Sequence, residues 1–125
     1  MTAIRFCVPV PHRPPGVNVA YAPGRWGKRH GFIKTPVANE YADRIKLAAR
    51  RAMRGKPPIE GRCLARLLFV HPDERADTDG PVKLTLDALE GIVYRNDRQA
   101  RRLEVDYLVD PEAPRVEIEI VEVSP

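Results

Sequence analysis

The sequence predicts an α+β fold in which two helices pack on a mixed β-sheet, in the order strand, arm, helix, strand, helix, strand, strand (β-arm-α-β-α-β-β). Three observations carry this expectation. The closing stretch VEIEIVEV alternates between apolar and acidic residues from Val116 to Ile120, the signature of a half-buried strand. Two segments, after Thr35-Pro36 and after Gly80-Pro81, show helical spacing of apolar residues. Between them, LLFV lacks alternation and predicts a strand buried on both faces.

In chain order, Thr2 to Val10 is rich in β-branched residues and predicts the first strand. PVPHRPPG follows, and its prolines and glycine predict a stiff, extended connection. Asn18 to Gly31 interleaves Gly and aromatic residues with basic ones, as in a surface loop or loose hairpin arm, with Phe32 to Lys34 a short strand. Thr35 as N-cap and Pro36 at the first helical position start a helix expected to run to about Arg54, with Val37, Tyr41, Ile45, Ala48 and Ala52 as its apolar stripe. Gly55, Pro57 and Pro58 end it. Arg62 to His71 predicts a strand. A second helix is expected from Gly80 or Pro81 to Val93, with Val82, Leu86, Leu89 and Val93 facing the core. Two strands separated by the turn Asp110 to Pro114 complete a single domain over residues 1–125.

Composition narrows the function classes. The chain has no stretch of about 18 apolar residues and no signal-peptide pattern, so a cytoplasmic protein with no membrane span is expected. Cys7 and Cys63 lack zinc spacing and are expected to be buried thiols. A formal charge of +4 points to a polyanionic partner. From Arg25 to Arg54 there are nine basic residues, opposed only by Glu40 and Asp43, whereas from Glu104 onward seven acidic residues face one arginine. A basic side and an acidic side are therefore expected. The candidate DNA-binding residues are Arg25, Lys28, Arg29 and Lys34 on the arm and Lys46, Arg50 and Arg54 on the first helix. Trp26 is placed to stack on an unpaired base or to anchor its loop. His12 and His30 suit polar or phosphate contacts, and His71 suits the end of a strand.

Within this basic chain, RADTDGPVKLTLDALEGIVYRNDRQ gathers carboxylates around one short helix. In an extended Asp77-Thr78-Asp79 both carboxylates point to the same side, and Lys83 and Asp87 are neighbours at i, i+4. Oxygen ligands in small number are what a hard divalent cation requires. The plainer alternative is also consistent with the spacing: Asp79 as an N-cap, Lys83 and Asp87 as a weak surface pair, and Asp97 as a turn residue.

The run of DxD, a lysine four residues later, DAL, GIVY and ND-x-Q resembles the RusA family of Holliday junction resolvases, whose signature is similar to DxDNxxK, DAL and DDxQ. PHRPPGVN resembles the family's proline-rich opening, and RVEIEI its closing strand. The resemblance implies a magnesium-dependent (manganese being possible), homodimeric endonuclease that cuts four-way DNA junctions in recombination and repair, of a kind often encoded in prophages. By position it makes Asp77, Asp79 and Asp97 the catalytic, metal-binding aspartates and Lys83 the essential lysine. Asn18, Asp87, Asn96 and Gln99 match supporting positions. Gly80 and Asn96 depart from the pattern, replacing an asparagine and an aspartate. Asn96 still offers a neutral oxygen to a metal or its waters, but no charge. A junction-binding protein of the same fold that has lost cleavage, or a nuclease acting on flaps or forks, remain alternatives.

Overall fold

The computed structural model describes residues 2–10, 21–26, 29–74 and 81–123. Its strands are β1 (Ala3–Pro9), β2 (Tyr21–Trp26), β3 (Arg29–Lys34), β4 (Cys63–His71), β5 (Ala100–Val109) and β6 (Arg115–Glu122). Helix α1 is Pro36–Met53, helix α2 is Val82–Leu89, and a single 3-10 turn covers Asp97–Gln99. The expected α+β architecture is present: two helices lie against a four-stranded mixed sheet of order β1-β6-β4-β5. The arm contains a hairpin, β2 against β3, with Arg25 opposite His30 and Trp26 opposite Arg29.

Among the described strands only the β4–β5 pair is parallel. A parallel pair needs a crossover, and here the crossover consists of α2, a tight turn and the 3-10 turn. On the face covered by the helices, β4 contributes Cys63, Ala65, Leu67 and Phe69, β6 contributes Val116, Ile118 and Ile120, and β1 contributes Ile4 and Val8. The opposite face carries Arg66, which lies directly across from Glu104 on β5 and Glu119 on β6 and pairs with both, at 2.8 and 3.0 Å. The acidic side expected from the tail is thus threaded by a central arginine.

Four expectations need correction. The buried stripe of α1 is Ala38, Tyr41, Ala42, Ile45, Ala49 and Met53, while Val37 is half exposed. The stripe keeps Tyr41 and Ile45 but is otherwise rotated by one position, to Ala38, Ala42, Ala49 and Met53, with Ala48 and Ala52 only partly buried. Helix α2 ends at Leu89 and not Val93: Glu90 turns extended (ψ 135) and Gly91 takes a positive φ of 79°, the conformation that glycine tolerates and that closes helices. Its buried residues are Leu84, Thr85, Ala88 and Leu89, with Val82 and Leu86 only partly covered. Cys63 is buried as expected, but Cys7 is exposed, because alternation along β1 points it to the open face of the sheet.

Local chemistry explains both ends of α1. The Thr35 hydroxyl accepts from the Ala38 amide, with Pro36 in the first turn where its missing N–H costs nothing. At the other end Arg54, a residue with a side chain, sits in the left-handed region at φ 52° and donates its N–H to the Arg50 carbonyl. An L-residue there is strained by about 1 kcal/mol relative to glycine. Arg54→Gly is therefore expected to stabilise the fold by about 0.5–1 kcal/mol in denaturant unfolding; an unchanged or lowered midpoint would show that the Arg54 side chain contributes more than its backbone costs.

Candidate active site

The site is organised by three short pieces of chain. Helix α2 is held to α1 through Thr85, which is fully buried: its hydroxyl donates to the Pro81 carbonyl at 2.8 Å and meets the Tyr41 hydroxyl at 2.8 Å. Burial pushes the Tyr41 phenol well above its ordinary range, so it stays neutral in this bond. The first residue outside α2 is Pro81, which makes no side-chain cap. Asp79, the N-cap in the plainer alternative, lies outside the described residues.

The turn after α2 is fixed by Tyr94. Its ring is fully buried and its hydroxyl donates to the Leu86 carbonyl at 2.6 Å. Burial first, then the charges of Asp97, Glu90 and Asp87, push this phenol far above its usual value. Gly91 N–H bonds back to the Tyr94 carbonyl at 2.7 Å, closing a loop that brings residues 95–99 beside the end of α2.

Gln99 then locks that loop. Its Oε1 accepts from the Arg95 and Asn96 amides, both at 2.9 Å, and its Nε2 donates to the carbonyls of Ile59 and Gly61 at 2.8 and 2.9 Å. All four hydrogen-bonding positions of one side-chain amide are used. Asn96 caps the 3-10 turn, its Oδ1 accepting from the Arg98 amide and Arg98 Nε. Gln99 is the reciprocal member of this capping box.

The outcome is a cluster of carboxylates at the C-terminal end of α2. Lys83 Nζ lies 3.0 Å from Asp87 Oδ2, as the i, i+4 spacing predicts, with the Lys83 side chain largely exposed. Asp97 lies beside Asp87 and Glu90, and Glu90 Oε1 accepts from the Asp97 amide at 2.7 Å. Glu90 is the residue that the sequence did not single out. Within LEGIVY it looks like an ordinary exposed helix charge, and its role depends on the chain reversal at Gly91, the one local signal available. Burial, then the Glu90 charge and the contact with Asp87, raise the Asp97 pKa.

Among the described residues, no group of three His, Cys, Asp or Glu side chains is arranged to hold a metal by itself. Asp77, Asp79 and Gly80 lie outside the described residues, as do Asn18, Lys28 and His12. Arg25, Trp26, Arg29, His30 and Lys34 are placed on the β2–β3 hairpin by their backbone. His71 ends β4 with a buried ring stacked 5.9 Å from Tyr107, itself against Phe69. Arg54, the C-cap of α1, lines a groove beside β1 together with Arg44 and Arg51.

Because the folded state raises the Asp97 pKa, ionising this side chain opposes folding. That cost is full above the raised value and vanishes as pH falls below the unfolded carboxylate value of about 3.9. Asp97→Asn is thus expected to melt higher than the native chain at neutral pH in EDTA, with the gap closing as pH falls through the Asp97 pKa toward about 4. A gap independent of pH, measured by thermal scanning calorimetry, would contradict the crowding of carboxylates.

A family model described as endodeoxyribonuclease RusA matches residues 15–121. No curated protein matches the chain. The match spans α1, α2, the carboxylate cluster and three of the four strands of the main sheet, leaving out β1, and the chain accordingly belongs to the RusA family of endodeoxyribonucleases.

Proposed function

We propose that this protein is a magnesium-dependent endonuclease that resolves four-way DNA junctions by phosphodiester hydrolysis. The observation that carries the proposal is the convergence of Asp87, Glu90 and Asp97 at the end of α2, with the Lys83 ammonium beside them. Burial and then the neighbouring carboxylates raise the Asp97 pKa, and a hard divalent cation, which prefers oxygen ligands, would relieve the repulsion among them. The residues that would hold the ion are Asp77, Asp79 and Asp97. When bound, magnesium or manganese supplies charge neutralisation at the phosphate and a hydrolytic water that ionises near neutral pH.

The chain's own residues do the positioning. The Gln99 clamp sets the backbone of Asp97, and Glu90 fixes its amide. Asp87 tethers Lys83, whose exposed ammonium is placed to stabilise negative charge developing on phosphate oxygens. Asp87 acts as a support for Lys83. Lys46 and Arg50 on α1, together with Arg25, Lys28, Arg29 and Lys34 on the arm and Arg54, are proposed to meet the DNA backbone, which fixes register without reading sequence. A cytoplasmic role in recombination and repair of branched DNA follows from this reading, and no helix among the described residues is long and apolar enough to cross a membrane.

Cutting both strands of a symmetric junction asks for two sites, and the protein is proposed to act as a homodimer, its domain spanning residues 1–125. Support comes from β5, an edge strand carrying exposed Leu103, Tyr107, Leu108 and Val109. Sedimentation is expected to give twice the 14.1 kDa chain mass; a fully active species at that single-chain mass would remove the dimer.

Nicking of a synthetic four-way junction, compared with linear duplex and a flap in magnesium, tests the function. The junction is expected to be cut in preference to both. Asp77→Asn, Asp79→Asn and Asp97→Asn are each expected to abolish cutting while junction binding holds or tightens, since less negative charge then faces the phosphates. Binding without any cutting by the native chain would favour the junction-binding alternative, and preferred cutting of the flap a different nuclease.

A further inference from the structure

Strand β1 pairs only with β6, so its other edge is open among the described residues. The Val10 amide bonds to Pro114 and the Glu122 amide to the Thr2 carbonyl. In an antiparallel ladder hydrogen-bonded pairs alternate, so residues 2, 4, 6, 8 and 10 turn their backbone groups toward β6. Ala3, Arg5 and Cys7 therefore present their N–H and C=O groups to the open edge. Pro9 continues that series without an N–H, as is tolerated at an edge.

This edge is one wall of a groove of about 750 Å³, the other wall being α1. Every residue of β1 lines it. From α1 and its end come Arg44, Arg51, Arg54 and Lys56, with Leu47 and Ala48 between them. With Arg5 that makes five basic residues and no carboxylate on the lining. Arg44 bonds to Glu40 outside the groove, whereas Arg51 and Lys56 are exposed. Leu47, 51% exposed, is one of the few large apolar residues left in solvent.

We propose that this groove binds an extended acidic segment of a partner protein, which adds as a strand to the open edge of β1. The seven residues of β1 span about 23 Å, room for a matching strand of similar length. Backbone groups of Ala3, Arg5 and Cys7 give such a segment its hydrogen bonds. Leu47 and Ala48 receive aliphatic side chains on one face, and Arg51 and Lys56 receive carboxylates. Duplex DNA fits less well, since phosphate oxygens only accept hydrogen bonds and cannot pair with both the N–H and the C=O groups of a strand edge. The same edge with Arg5 and Pro9 is also what a strand protected against aggregation would show, and the test separates that reading.

The probe is a fluorescein-labelled ten-residue peptide alternating Asp or Glu with Val or Ile, followed by anisotropy on the full chain. Saturable binding is expected, weakened about tenfold or more by Arg51→Glu with Lys56→Glu, neither of which is assigned to the DNA surface. A peptide N-methylated at alternate residues is expected to lose binding, because it cannot complete the ladder. Amide resonances of Arg5 and Cys7 should shift on titration. No saturable binding, equal binding by the double variant, or equal binding of the N-methylated peptide would overturn the proposal. So would displacement of the peptide by a short linear duplex at equal stoichiometry, which would assign the groove to DNA.

Discussion

The side-chain amide of Gln99 is the interaction on which the site depends. It spans from the turn at Arg95 and Asn96 to the loop at Ile59 and Gly61, using both lone pairs and both N–H groups. Two constraints meet there. The loop at Ile59 leads into the central strand β4, and the 3-10 turn leads into β5, which pairs parallel with β4. One residue thus fixes both the start of the parallel pair and the backbone of Asp97, two positions before it. A group able to accept from two adjacent amides and donate to two carbonyls is a primary amide, and no carboxylate or hydroxyl of similar size offers both.

Packing sets the rest of the geometry. The buried Tyr41–Thr85 contact ties the two helices together, and Tyr94 ties the turn after α2 to the helix itself. Both phenols remain neutral because burial disfavours their ionised forms, and for Tyr94 the neighbouring carboxylates add to that. The carboxylate cluster is therefore built over rigid, neutral hydrogen bonds, and its crowding is borne by Asp97. Electrostatic strain at one carboxyl is what a cation-binding endonuclease site would hold in readiness. On the open face of the sheet the charges are balanced instead, Arg66 being shared by Glu104 and Glu119.

Features with local causes were legible in the sequence. Thr35-Pro36 starts α1 because cap chemistry involves only adjacent residues, and the alternation of β6 is visible because one face is buried. Lys83 and Asp87 meet because helical spacing alone brings them together. What escaped depends on tertiary context. The apolar residues at Leu89 and Val93 continue a helical pattern across Gly91, although Gly91 ends the helix; the pattern persists because Val93 is buried from the turn. Glu90 gained its role only once the reversal had placed it against the Asp97 amide. The shift of the α1 stripe away from Val37 reflects which face meets the sheet and α2, and Cys7 is exposed because β1 has one uncovered face. The motif pointed to Asp97, while its partner Asn96 turned out to serve the fold as a cap.

The central claim, that a metal-dependent site is assembled at the end of α2 by the Gln99 clamp, is tested most directly by manganese titration of the isotope-labelled protein, following paramagnetic broadening of backbone amides. Broadening centred on Asp97 and the residues around Asp87, and dispersed or lost in Gln99→Ala with the remaining spectrum preserved, is the predicted result. Broadening centred away from the end of α2, or unchanged at Asp97 in Gln99→Ala, would contradict the account.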